Sequence, residues 1–244
     1  MPISRIFQKI ILQSDALIRL ESEASHHLAR VLRAEINDEL TIFNGEGGEY
    51  AAVITAIDKK NVTVKIKEYS AREAESALEL YLLQGISRGE KMDYTIQKAV
   101  ELGVTKILPL FTERSTVKLD AERREKRWQH WQSIAIGACE QSGRNRVPEI
   151  LMPVSFSKGL ASITADWRLV LSPKAERKLN EIPIGKSQRV ILLIGPEGGL
   201  SELELEEASR CGFLSLNLGP RILRTETAAV AAIAALQCCF GDLN

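Results

Sequence analysis

Five short apolar runs beyond residue 78 constrain the fold of this chain more than any other feature. Leu80-Tyr-Leu-Leu-Gln84, Lys106-Ile-Leu-Pro-Leu110, Leu169-Val-Leu171, Val190-Ile-Leu-Leu-Ile194 and Leu214-Ser-Leu-Asn-Leu218 are close to continuously apolar rather than strictly alternating. A strand that is apolar on both sides must be covered on both faces, which is the condition of a parallel sheet between helices. Helical segments separate the runs. Met92, Ile96 and Val100 recur every four residues and stop at Gly103, and Ser201 with Glu204 makes the capping-box pattern that opens a helix over 202–210. Residues 79–244 are therefore expected to form an α/β unit.

Residues 1–70 obey a different rule. Segments 40–43, 50–57 and 62–66 are rich in β-branched residues, and Asn44-Gly45, Gly47-Gly48 and Lys59-Lys60-Asn61 supply turns between them. A small barrel or curled sheet fits this pattern. The stretch His26–Arg33 has helical spacing, with Leu28, Val31 and Leu32 on one side and Arg30 and Arg33 displaced from it. Residues 71–78 are polar and short-sided and read as a linker, so the expected division is 1–70, a linker over 71–78, and 79–244.

With 45% hydrophobic residues in 244, a real core can form. Lys plus Arg and Asp plus Glu each number 32, so the whole-chain charge gives no support for a polyanionic partner and leaves the question to local patches. Met1–Phe7 carries no signal-peptide pattern and no segment has the length of a membrane span, which predicts a cytoplasmic protein without a membrane partner. Cys139, Cys211, Cys238 and Cys239 show no CxxC spacing and lie far from His26 and His27. No metal site is expected, only reduced and mostly buried thiols.

The sharpest local signal is Ile194-Gly-Pro-Glu-Gly-Gly-Leu-Ser201, between an apolar strand and a capped helix. Ligands in open α/β sheets bind at that end of the strands. The loop matches neither GxGxxG nor a P-loop, and its acid, Glu197, without any lysine, suits a ligand that is neutral or cationic at its reactive end. Taken alone, the segment fits plain turn chemistry equally well. The second signal is Leu216–Ala228: a strand, a Gly219-Pro220 turn, the Ile222-Leu223 step, then Arg224-Thr225-Glu226-Thr227 ahead of a helix read as 227–240. Thr225 or Thr227 can cap that helix. Arg221 and Arg224 ahead of its positive end require an anionic partner or Glu226. Ala228–Leu236 is apolar on every side, so it must be covered by its own chain or by a second copy.

These two segments resemble the cofactor-binding half of the SPOUT methyltransferases. Gln84–Asp93, Gln97–Gly103, Thr112–Ser115, Glu140–Arg144, Arg5–Phe7 and His27–Arg33 extend the resemblance to the ribosomal small subunit methyltransferase E family, over nearly the whole chain. The resemblance implies an α/β architecture: a PUA-like RNA-binding β-barrel domain, then a SPOUT domain whose parallel sheet is tied in a deep trefoil knot. It further implies a homodimer through that domain, S-adenosyl-L-methionine as cofactor, and methylation at N3 of one uridine of 16S rRNA in the small ribosomal subunit.

On this resemblance the cofactor pocket comprises Leu171, Gly195, Pro196, Glu197, Gly198, Gly199, Leu216, Leu218, Gly219, Leu223, Thr225 and Ala228. Arg224 and Arg114 are candidate donors to the uracil carbonyl oxygens, with Glu226 as base or as the group that orients an arginine. Arg30, Arg33, Arg88, Lys91, Arg144 and Arg146 are candidates for RNA contact. The run Arg123–Arg127 reads first as a solvated helix face. Ribose 2′-O methylation by a related enzyme and a non-catalytic RNA-binding assembly factor stand as the alternatives.

Overall fold

The computed structural model describes residues 4–58, 61–117, 119–185 and 187–243; Met1–Ile3 and the Lys59-Lys60 turn lie outside the described residues. Contacts divide the chain into two units, Met1–Glu75 with Cys139–Val147, and Ser76–Ala138 with Pro148–Asn244.

In the first unit β1 (Ser4–Phe7), β2 (Leu17–Arg19), β3 (Glu39–Phe43), β4 (Glu49–Asp58) and β5 (Asn61–Ser70) form one sheet in the order β1-β3-β4-β5-β2. β1 runs parallel to β3 and the other pairs are antiparallel. Val62, Val64 and Ile66 alternate inward against Leu40, Ile42, Ala52 and Ile54. Two register shifts between β4 and β5 bend the sheet around that core. Helix α1 (Ser22–His26) runs into a single π turn, His27–Val31, in which the Leu32 N–H donates to the His27 carbonyl at 3.0 Å. That wider turn changes the direction in which the next side chains point. Leu28 stays buried, but Val31 and Leu32 are exposed, which corrects the reading that put all three on one side.

Cys139–Val147 is held in this unit by long-range polar contacts. Arg144 grips Glu75 with two hydrogen bonds, and Asn145 accepts from the Arg5 guanidinium at 2.6 Å and donates to the Arg72 carbonyl at 2.6 Å. The same contacts fix part of the stretch read as a linker: Arg72 pairs with Glu49, and Glu73 accepts the Gly48 N–H at 2.9 Å.

The second unit contains β6 (Glu79–Gly85), α2 (Glu90–Glu101), β7 (Lys106–Phe111), α3 (Ala121–Ser142, whose last turn counts with the first unit), β8 (Glu149–Ile150), β9 (Val154–Ser155), α4 (Phe156–Ser162), β10 (Trp167–Leu171), β11 (Arg189–Ile194), α5 (Glu202–Arg210), β12 (Leu214–Leu216) and α6 (Thr225–Phe240). Its sheet has the order β12-β10-β11-β6-β7-β8, with β9 also on β7, and every pair is parallel. Leu83, Leu110, Val170, Ile191 and Leu193 pack with Leu160 of α4 and Ala208 of α5. The alternate residues Leu80, Leu82 and Leu192 are equally buried on the other face, where α6 packs on β11 and on α2. Both-face coverage is what the continuous apolar runs demand. β8 and β9 pair with opposite ends of β7, and Pro109, which has no N–H to donate, falls in the interval between them.

Helix α6 begins at Thr225 and not at 227, and it buries one face, Ala229, Ala232, Ile233, Leu236 and Gln237. Gln237 is the polar member of that face: it accepts from Ser76 Oγ at 2.8 Å and donates to the Leu102 carbonyl at 3.0 Å. Cys238 and Cys239 point away from the buried face and are exposed, against the expectation of mostly buried thiols; Cys139 is buried, and that burial pushes its thiol up to about 12. Among the described residues no helix is long and apolar enough to cross a membrane, and no cluster of His, Cys, Asp and Glu is placed to hold a metal ion.

Replacing Gln237 with Leu preserves bulk but removes the acceptor of the Ser76 hydroxyl and the donor to the Leu102 carbonyl. We expect a loss of about 1–3 kcal/mol in urea unfolding with an unchanged m-value; a variant as stable as the parent would show that this buried amide is dispensable.

Candidate active site

The glycine loop leaves the carboxyl end of β11, and the arginine segment leaves the carboxyl end of β12. Chain order reverses here: β11 lies between β10 and β6, while β12 returns to the far side of β10. Such a reversal leaves a crevice at the strand ends. The first contact that closes it is between the two segments themselves. Thr225 Oγ1 donates to the Gly195 carbonyl at 2.6 Å. Thr225 therefore does not cap α6, whose N-cap position is Arg224 without any side-chain cap; its hydroxyl is committed to the neighbouring loop.

Gln84, the polar end of the β6 run, completes the junction. Fully buried, it donates through Nε2 to Thr225 Oγ1 at 3.0 Å, the Gly85 carbonyl at 3.0 Å and the Gly195 carbonyl at 3.4 Å. Gly85 lies directly beneath the loop: a Cβ there would come within 2.6 Å of Pro196. Gln84 was not among the expected site residues, although a polar side chain closing an otherwise apolar strand is a signal for one.

The rest of the loop is held from outside. Glu197 accepts the Arg88 N–H at 3.0 Å and lies 3.5 Å from Lys91 Nζ. Partial burial pushes its carboxyl up, but the Arg88 N–H, its own N–H and the Lys91 charge outweigh this and hold it below the usual glutamate range. Arg114 Nη1 donates to the Gly198 carbonyl at 3.2 Å. Glu204 positions that arginine: besides taking the Ser201 N–H in the capping box, it accepts the Glu113 N–H at 2.8 Å. The acid read from sequence as a cap thus also anchors the Thr112–Ser115 turn.

Beyond the loop, Leu171 and Leu216 are register partners at the ends of β10 and β12. Leu218, Leu223 and Ala228 are half-buried along the second segment. Gly199 and Gly219 have φ of +69° and +104°, and a Cβ at either would meet nothing within 4 Å, so their backbones border open space. Arg224 is exposed, and no ion pair joins it to Glu226 among the described residues. Glu226 Oε2 is buried without a hydrogen-bond partner.

Of the expected RNA contacts, Arg30 and Arg33 are both exposed in the first unit, and Arg146 is in that unit beside Glu73. Arg88 and Lys91 flank Glu197. Arg144 must be removed from this set, because its side chain is 3% exposed and committed to Glu75. A depression of about 390 Å³ involving Glu79, Asp166 and Arg189 lies at the amino ends of the strands, the edge opposite the glycine loop.

A family model described as an RNA methyltransferase domain matches residues 74–237, and one described as an RNA methyltransferase PUA domain matches residues 20–67. Ribosomal RNA small subunit methyltransferase E of Buchnera aphidicola is 41% identical over 99% of this chain and 98% of its own length. The chain belongs to the ribosomal RNA small subunit methyltransferase E family. The Bacillus subtilis member is 32% identical over 89% of the chain and 88% of its own length. A crystal structure of the Neisseria gonorrhoeae family member bound to S-adenosyl methionine superposes with a TM-score of 0.93, at 38% identity, covering 99% of this chain and 100% of that one. A Legionella pneumophila methyltransferase in complex with the cofactor SAM gives 0.97 at 43% identity, covering 100% of both chains. As in the family, a PUA-like amino-terminal domain precedes a methyltransferase domain with a parallel sheet.

Thr225→Val removes the hydroxyl that joins the two segments while keeping the side-chain volume. We expect binding of S-adenosylmethionine, measured by calorimetry, to weaken about five- to tenfold, the equivalent of one buried hydrogen bond; unchanged affinity would detach this bond from the pocket. For Glu197 the depressed carboxyl sets the sign of a pH effect. Its stabilisation is fully present above the ordinary glutamate pKa of about 4.3 and is lost as pH falls through the lower folded value. The urea midpoint of the wild type relative to Glu197→Gln should be flat above about pH 5 and converge on acidification; an advantage that grew toward low pH would reverse the assignment.

Proposed function

We propose that this chain is an S-adenosylmethionine-dependent methyltransferase that modifies N3 of a uridine in small-subunit ribosomal RNA. The observation that carries the reading is the Thr225–Gly195 hydrogen bond with Gln84 beneath it, which sets the glycine loop against the arginine segment around open space. The site suits that cofactor. Gly199 and Gly219 leave backbone groups uncovered, the neighbouring strand ends are Leu171 and Leu216, and the loop carries no lysine to repel a sulfonium. The Gln84 Oε1 atom, buried without a partner, is an acceptor that a ligand donor can satisfy. When bound, the cofactor supplies an activated methyl group.

The chain's own residues then have two tasks at the base. Methyl transfer to N3 forms an N–C bond, breaks an S–C bond and releases the N3 proton. Glu226, whose Oε2 has no partner, is the candidate acceptor of that proton. Ionising N3 places charge on the flanking carbonyl oxygens. Arg224, exposed and unpaired with Glu226, and Arg114, held at the loop by Gly198, are the donors to stabilise it. Arg30 and Arg33 of the PUA-like domain and Arg88, Lys91 and Arg146 supply backbone contacts. A homodimer belongs to the same proposal, supported by the half-buried Ala228, Ala231, Ala234 and Ala235 on α6, and so does the family's knot.

The decisive test is methylation of small subunits that lack the modification, with mapping of the methylated nucleotide and its position on the base. Arg224→Ala should lower turnover at least about 100-fold while leaving cofactor affinity within about twofold. A methyl group found on ribose, or wild-type turnover in the variant, would overturn the respective assignment.

A further inference from the structure

The loops after β10 and β12 concentrate cations that the methyl-transfer reading uses only in part. Residues 172–178 and 217–224 hold Lys174, Arg177, Lys178, Arg221 and Arg224 against a single acid, Glu176, in a chain of zero formal charge. The two loops are neighbours because Leu171 and Leu216 are register partners and the Ser172 N–H continues the ladder to the Leu216 carbonyl at 2.9 Å.

Asn217 then fixes one loop on the other. Its N–H donates to the Arg177 carbonyl at 2.9 Å, its side-chain amide donates to the carbonyls of Pro173 at 3.2 Å and Ala175 at 3.1 Å, and its Oδ1 accepts the Gly219 N–H at 2.7 Å. One residue thereby closes both turns and sets the spacing of the cations they carry. Lys174 lies 3.1 Å from Glu202 in an exposed pair. Arg177, Arg221 and Arg224 are exposed and form no ion pair among the described residues.

A run of surface charge is ordinarily solvated and interspersed with the opposite sign. Here the arginines are left unpaired, on a backbone that is already ordered, at the rim of the reactive cleft. A guanidinium matches the oxygens of a phosphate with two parallel hydrogen bonds, and an ordered loop loses little entropy on binding. We propose that Arg177 and Lys178, with Arg221 on the adjoining loop, form a phosphate-binding rim that grips the RNA backbone next to the target nucleotide. The proposal rests on the reading that the substrate is RNA. It adds a contact surface on the methyltransferase domain that is separate from the pair beside Glu197.

The test is anisotropy of a labelled small-subunit rRNA fragment between 50 and 300 mM KCl for the wild type, Arg177→Ala/Lys178→Ala and the charge-preserving Arg177→Lys/Lys178→Arg. The alanine pair should weaken RNA binding about tenfold near 0.1 M salt and reduce the slope of log affinity against log salt by about 1.4, twice the single-strand value per phosphate. The affinity for S-adenosylmethionine should not change, and the charge-preserving pair should keep the wild-type slope. An unchanged slope in the alanine pair overturns the rim, and so does an equal loss in both variants. Methyl transfer by the wild type is assayed alongside: its absence defeats the enzymatic reading, while the salt slope still decides whether the rim binds RNA.

Discussion

The candidate site depends on one part-buried hydrogen bond, from Thr225 to the Gly195 carbonyl, and on the amide that supports it. Gly195 and Thr225 are 30 residues apart, and the bond makes them one structural unit. Gln84 has no freedom in this arrangement. Three acceptors, the carbonyls of Gly85 and Gly195 and the Thr225 hydroxyl oxygen, face its amide, so Nε2 points at them and Oε1 points elsewhere. A fully buried glutamine is tolerated in an apolar strand only because those bonds offset its desolvation. The same arrangement leaves Oε1 without a donor from the protein, an acceptor that water or a ligand can satisfy.

Around this centre the charges obey a rule of position. Glu197, the acid of the glycine loop, is answered by the Arg88 N–H and Lys91, and Glu204 is answered by the backbone of Ser201 and Glu113. Arg114 is held by a carbonyl oxygen. The part of the site that suits a neutral or cationic ligand is therefore balanced internally, with its acids already engaged. The arginines after β10 and β12 are not balanced, and they lie where a polyanion would reach.

Sequence made the sheet legible and the junctions between distant residues illegible. The runs that became β6, β7, β10 and β11 stand out because both-face burial leaves no polar alternation, and their ends fall close to those of the apolar segments. The glycine loop and the capping box at Ser201 are local and were legible for that reason. Helix α3 was not, since its first turns are mixed charge and its burial rests on Trp131, Ala135, Ala138 and Cys139. The π turn at His27 escaped because Leu28, Val31 and Leu32 fit ordinary helical spacing. Arg144 looked like a surface cation because its partner Glu75 lies 69 residues away. Gln84, Asn217 and Glu204 owe their importance to partners 111, 44 and 91 residues distant, a relation that no window of sequence contains.

Arginine consequently has two physical roles in this chain, separable by what surrounds it. In the first unit Arg5 and Arg72 share Glu49 and Arg144 holds Glu75; burial pushes the Glu49 carboxyl up, yet the two arginines prevail and keep it below its ordinary range. The Arg5–Glu49 and Arg144–Glu75 pairs are largely shielded from water, so mobile ions screen them little, whereas Arg72 reaches Glu49 from a half-exposed position. Arg177, Arg221 and Arg224 are exposed, and whatever they bind must displace water and counterions, which makes that interaction steeply salt-dependent. A formal charge of zero therefore conceals, beside exposed surface pairs, arginines spent on shielded acids and arginines left for an external anion. Net charge carries no information about a polyanionic partner here, because it counts cations already cancelled by shielded acids together with those that face solvent.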